Sequence, residues 1–198
     1  MKRSIPIALA LCAALATSSY AAAGPRMTYM MDRDSSVVAP DRVGRWDWGI
    51  NIAAGFNDRS DDTAFYSTSI AYGVTPWIAL GAEAGWQEAS LSNTEDLGLV
   101  PVLADIIIRV PTVNATVVPY MVVGLGVMGA YVTDTNNNDS DNTSFGWKLG
   151  GGVDWFLNER WILNLELAYY GSSADLPRSS AGDSTSFWTL GGGLKYVF

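Results

Sequence analysis

The sequence predicts an all-β chain: an eight-stranded antiparallel up-and-down transmembrane β-barrel behind an N-terminal signal peptide. Three observations carry that expectation. From Gly44 almost to Phe198 the hydrophobic residues recur with a period of two, the period of a strand with two unlike faces. The chain is 48% hydrophobic and only 16% charged, yet past its first two dozen residues it has no uninterrupted apolar run long enough for a spanning helix. The connections between the periodic segments alternate between short and long without exception, as they must when successive hairpin turns fall at opposite ends of a barrel.

Residues 1–23 read as a signal peptide. Lys2 and Arg3 form the basic start, Ile5 to Ala16 the apolar centre, and Ala21-Ala22-Ala23 the small-residue cleavage region. Cys12 lies inside the apolar centre, with the bulky Leu11 before it, so it is read as part of that segment rather than as a lipid attachment site. The mature chain then holds no cysteine and gains no stability from disulfides. Residues 24–43 form a polar lead-in with Pro25 and Pro40, its three aspartates matched by three arginines.

The barrel is expected over 44–198. Its first strand places Trp46, Trp48, Ile50, Ile52, Ala54 and Phe56 on one face and Arg45, Asp47, Gly49, Asn51, Ala53, Gly55 and Asn57 on the other. The same alternation marks seven more strands, led by Tyr66 to Val74, Ile78 to Trp86, Val100 to Val110, Val117 to Tyr131, Phe145 to Trp155, Trp161 to Tyr169 and Trp188 to Phe198. Thr75-Pro76, Pro111 to Ala115 and Leu157 to Arg160 are the short connections. Asp58 to Asp62, Glu88 to Asp96, Asp134 to Asn142 and Ser172 to Asp183 are the long polar ones.

Period two alone fits either an apolar exterior facing lipid or an apolar interior, as in a soluble lipocalin-like ligand binder. The charges decide between them. Arg45, Asp47, Glu83, Asp105, Arg109, Lys148, Asp154, Glu166 and Lys195 all fall on the less apolar face. A Lys or Arg turned to lipid at mid-bilayer costs roughly 2–4 kcal/mol, so the apolar face is the outer one and these nine residues form an expected lumen charge network. The rest of that face is rich in glycine and serine, which suits the crowded inside of a narrow barrel. Aromatic residues gather near the strand ends as two girdles at headgroup level.

Three segments bring a known family into view: Val118-Pro119-Tyr120-Met121-Val122-Val123-Gly124-Leu125-Gly126, Phe145-Gly146-Trp147-Lys148-Leu149-Gly150-Gly151-Gly152-Val153-Asp154-Trp155-Phe156, and the C-terminal Gly193-Leu194-Lys195-Tyr196-Val197-Phe198. In these the chain resembles the small bacterial outer-membrane β-barrels of the OmpA-like and porin-family group. The resemblance implies the outer membrane of a Gram-negative-type bacterium, a periplasmic lead-in, and a bilayer of phospholipid and lipopolysaccharide as surroundings. It also implies recognition by the barrel-assembly machinery through Gly193, Tyr196 and Phe198.

Several chemistries are excluded. The chain has no histidine, which removes Ser-His-Asp and Cys-His catalysis, HExxH zinc sites and the histidine-dependent barrel enzymes that the resemblance brings to mind. No catalysis and no cofactor are expected. The formal charge is −8 with no basic cluster, so the chain is not expected to bind nucleic acid. Asp134, Asn136 and Asn138 alternate as Ca²⁺ ligands do, but the glycine turn and closing glutamate of a calcium loop are missing. After loss of the signal peptide the four long loops carry eleven acids against Arg59 and Arg178. That acidic crown suggests divalent cations shared with lipopolysaccharide phosphates, or simple mutual repulsion between neighbours. The expected function is structural, supporting outer-membrane integrity and presenting short acidic loops. The alternative is a narrow porin-like or OmpW-like channel for small or apolar solutes.

Overall fold

The computed structural model describes residues 42–57, 60–92, 95–110, 116–134, 139–175 and 184–198. The signal peptide and nearly all of the lead-in lie outside these residues, as do Asn136 and Asn138. The described chain forms eight strands: β1 (Trp46–Asn57), β2 (Ser60–Gly73), β3 (Ile78–Ser92), β4 (Glu95–Arg109), β5 (Val117–Asp134), β6 (Asp139–Phe156), β7 (Trp161–Asp175) and β8 (Ser184–Val197). Each pairs antiparallel with its sequence neighbour, and β8 returns to β1, so the sheet closes in the order β1 to β8 and leaves no free edge. Closure lets every strand satisfy its backbone groups within the sheet, which the interior of a bilayer demands.

The outward face is the apolar one. Ile52, Leu80, Ile106, Leu125, Leu149, Leu165 and Leu190 are all exposed, a burial pattern that only a lipid environment makes favourable. Two aromatic belts bound this band. At the end with the short turns, Trp46 meets Tyr72 at 5.0 Å between ring centroids, and Tyr196 packs edge-on against Trp161 at 4.9 Å and Phe198 at 5.2 Å. Toward the other end, Tyr169 packs between Trp147 at 5.3 Å and Trp188 at 4.9 Å, and Trp86 donates its indole N–H to Tyr131 Oη at 2.8 Å. Glu88, in phase with the outward face of β3, lies past Trp86. The short-turn end is the periplasmic one, by the loop asymmetry of such barrels.

The short turns are built by side chains that hold backbone N–H groups. Thr75 Oγ1 accepts from the N–H of Trp77 and Ile78, and Asn158 Oδ1 accepts from the N–H of Arg160 and Trp161. The long connections differ from expectation. β3 runs to Ser92, β4 starts at Glu95, β5 reaches Asp134 and β6 starts at Asp139, so pairing continues through sequence that reads as polar loop. Above the bilayer the sheet no longer needs an apolar face, and the backbone ladder carries on where hydrophobic alternation stops. Most acids of the expected crown therefore sit on strand extensions rather than on free loops.

Candidate functional site: the charged lumen

The start of β1 explains the periplasmic end of the lumen. Gly44 takes φ +74°, a left-handed conformation that costs other residues a steric penalty, and the chain reverses there. Gly44 N–H donates to Gly73 O at 2.8 Å, and Val43 bridges Gly73 in parallel. The reversal sends Arg42 into the barrel and leaves Arg45 exposed ahead of the strand. Arg45 therefore stands outside the charge network and Arg42, from the expected lead-in, stands inside it. Inward phase extrapolates to Arg45 only if the strand is straight there, and the Gly44 turn breaks it.

The remaining expected lumen charges are held on the inner faces of β1, β3, β4, β6, β7 and β8. Asp47, Glu83, Asp105, Arg109, Lys148, Asp154 and Lys195 are buried and Glu166 is half-buried. They form two layers. In the periplasmic layer Arg42 donates to Asp154 Oδ2 at 3.0 Å and to Asp47 Oδ2. Lys195 donates to Asp154 Oδ1 at 2.9 Å, and Arg109 reaches Asp47 Oδ2 at 3.5 Å. In the upper layer Lys148 Nζ lies 2.6 Å from Glu83 Oε2 and 2.7 Å from Glu166 Oε1. Tyr170 donates to Glu83 Oε1 at 2.5 Å and Tyr120 to Glu166 Oε2 at 2.6 Å.

Asn164 joins the layers, its amide donating to Tyr120 Oη at 2.8 Å and to Asp154 Oδ1 at 3.0 Å. Both lysines also lie over aromatic rings, Lys195 at 4.8 Å from the Tyr120 centroid and Lys148 at 5.4 Å from that of Tyr170. Asp105 is the least served member of the upper layer. Its Oδ1 has no hydrogen-bond partner among the described residues, and it occupies space left by Gly124, where a Cβ would collide with it.

Apolar groups cluster in the lumen on both sides of the charges. Phe65, Tyr170 and Phe187 form a ring cluster, Tyr170 stacked on Phe187 at 4.9 Å and Phe65 5.2 Å from Tyr170, packed with Leu99, Leu103, Met128 and Ala168. Gly85 makes room for the Phe65 ring, since any Cβ there would overlap it. At the periplasmic side Val118, Phe156, Ile162 and Val197 cluster, with the Arg42 guanidinium 5.5 Å from the Phe156 ring centroid. Buried charges paired and hydrogen-bonded between two apolar layers can brace a barrel.

Tyr120, Asn164, Tyr170 and Arg42 were not among the residues singled out from the sequence. The first three share strand phase with the charges, Tyr120 with the inner side of β5 and Asn164 and Tyr170 with Glu166 on β7, and phase is the signal that would find them. The expected assembly residues lie at the closing seam. Phe198 N–H donates to Trp46 O at 2.9 Å, Tyr196 packs between Trp161 and Phe198, and Gly193 lies against the Asn51 side chain. Of the calcium candidates, only Asp134 is described, as the last residue of β5. Among the described residues no group of three His, Cys, Asp or Glu side chains is placed to hold a metal.

An apolar exterior between aromatic belts around a closed, charge-filled interior defines an integral outer-membrane barrel. The model of the outer membrane protein beta-barrel domain family matches residues 7–198, and the chain belongs to that family. No curated protein matches it. Among solved structures it is similar to Neisserial surface protein A, at 18% identity and a TM-score of 0.63 over 78% of this chain and 96% of that one. It is also similar to the N-terminal β-barrel domain of Pseudomonas aeruginosa OprF, at 17% identity and TM-score 0.53, covering 79% and 98%. The E. coli outer membrane protein W matches at 14% identity and TM-score 0.51, covering 80% and 100%. At these identities the likeness is one of fold. The protein resides in the outer membrane of a Gram-negative bacterium.

Proposed function

We propose that this barrel is a non-catalytic structural element of the outer membrane, with a lumen that does not conduct solutes. The observation that carries the reading is the filled interior: two ion-paired layers joined through Asn164 and enclosed by the Phe65–Tyr170–Phe187 rings above and the Val118–Phe156–Ile162–Val197 cluster below. A solute crossing this barrel would have to separate Lys148 from both Glu83 and Glu166, and breaking one buried pair costs about 3–5 kcal/mol. The structural likeness to outer membrane protein W supplies a fold, and the packed lumen argues against an OmpW-like or porin-like conduit through the centre.

In this reading the surrounding phospholipid and lipopolysaccharide are the principal partners, with divalent cations bridging the acidic rim to lipopolysaccharide phosphates. The barrel-assembly machinery acts on β8 through Gly193, Tyr196 and Phe198. Liposome swelling and planar-bilayer conductance with the refolded protein test the proposal. The expected result is solute flux no greater than in protein-free vesicles; robust, protein-dependent flux would replace it with the channel reading. Unchanged thermal stability and lipopolysaccharide co-purification after chelation would remove the cation bridge.

A further inference from the structure

A proline interrupts the barrel wall between β3 and β4. Pro101 stands inside β4 and has no N–H to give to a neighbouring strand. The register is constant from Ala84 opposite Val102 to Gln87 opposite Leu99, yet the two intervening pairs, Gly85 with Pro101 and Trp86 with Val100, are not joined. On its other side Pro101 faces Met128 in an unbroken ladder with β5. The missing donor is therefore owed to β3, and the carbonyl of the buried Gly85 loses its ladder partner. Among the described residues the register shifts, after Gly55, Ser90 and Gly171, fall at the loop ends of their strands, whereas this gap lies within the wall.

Aromatic rings cover the gap from both sides. Inside, the Phe65 ring fills the space left by Gly85. Outside, Tyr66 of β2 stacks on Trp86 of β3 at 6.3 Å, and the Trp86 indole N–H donates to Tyr131 Oη of β5 at 2.8 Å. The Tyr131 ring reaches Trp86 by crossing β4 over Gly98, where any Cβ would overlap it. These contacts run from β2 to β5 and tie the two sides of the gap together without using its backbone. We propose that the β3–β4 seam at Gly85 and Pro101 is where this wall yields first, and that Tyr66, Trp86 and Tyr131 form a strap that holds it shut from outside. The motion the strap restrains is an opening of a few residues, not of the whole sheet.

The test is residue-resolved amide hydrogen exchange of the mature chain refolded in lipid nanodiscs. In wild type, Gln87 and Leu99, which flank the gap, are expected to exchange faster than Met128 and Ser144, paired level with Pro101 on the unbroken β5–β6 seam. The reverse order overturns the proposal. Tyr131→Phe keeps the ring and removes only the acceptor oxygen. It is expected to speed exchange at Gln87 and Leu99 about tenfold and to leave Met128 and Ser144 unchanged. Adding Pro101→Ala supplies the missing N–H and is expected to bring Gln87 and Leu99 back to the wild-type rate or below. No response to Tyr131→Phe, an equal rise at Met128 and Ser144, or a double variant as fast as Tyr131→Phe alone each overturn the proposal. Should Pro101→Ala fail to fold, Trp86→Phe takes its place. It is expected to give the same rise as Tyr131→Phe and no further rise when the two are combined; additive rises overturn the strap.

Discussion

The two charged layers of the lumen solve the same problem in different ways. In the upper layer a single ammonium, Lys148, is shared by Glu83 and Glu166, and the far oxygens of both carboxylates are held by Tyr170 and Tyr120. In the periplasmic layer three cations compete for two aspartates, and Arg109 keeps one long contact. The difference teaches that burial alone does not measure what a charge contributes. Lys148 and Arg109 are both sealed from solvent, but only the first is indispensable to its partners.

The sharpest way to break this comparison is Lys148→Met. It strands the buried Glu83 and the half-buried Glu166 carboxylates, and the expected loss is about 3–5 kcal/mol in urea unfolding from vesicles. Adding Glu83→Gln and Glu166→Gln in the same chain is expected to restore most of it. If Lys148→Met is tolerated alone, the upper layer is not the brace described here. Next in size is Arg42→Gln, which weakens charged contacts to Asp47 and Asp154 and is expected to cost roughly 1.5–3 kcal/mol by the same measurement.

Arg109→Met is expected to fall within about 1 kcal/mol of wild type, or to exceed it, because it removes an under-served buried cation while Asp47 keeps Arg42. A loss as large as that of Lys148→Met would erase the distinction between the layers. The smallest effect belongs to Arg45→Gln. An exposed side chain outside the network is expected to change stability by less than about 0.5 kcal/mol, and the contrast with Arg42 tests the inward turn at Gly44 directly.

Strand number, direction and phase were legible from residue order because lipid outside and crowding inside impose opposite demands on successive residues. Asp105, Asp154 and Lys148 could be turned inward from that logic alone. Which residues pair could not, since Lys148 meets Glu83, 65 residues distant, only through the register of the two intervening strands and the girth of the barrel. Arg42 was hidden for a different reason: its placement depends on one left-handed glycine, and period two has no term for a reversal. Strand ends above the bilayer were obscured where hydrophobic contrast fades, as at Asp139 to Ser144 in β6.

The bond from Phe198 N–H to Trp46 O places the end of β8 beside the start of β1, at the periplasmic rim. A linker of a few residues from Phe198 to Arg42 would span that rim without disturbing either layer of charge. Cutting the chain instead at the loop between β4 and β3, or between β5 and β6, would give a circular permutant whose new termini open outside the cell. Such a permutant would be a scaffold for displaying a fused domain on the bacterial surface, built on the same sheet and the same lumen.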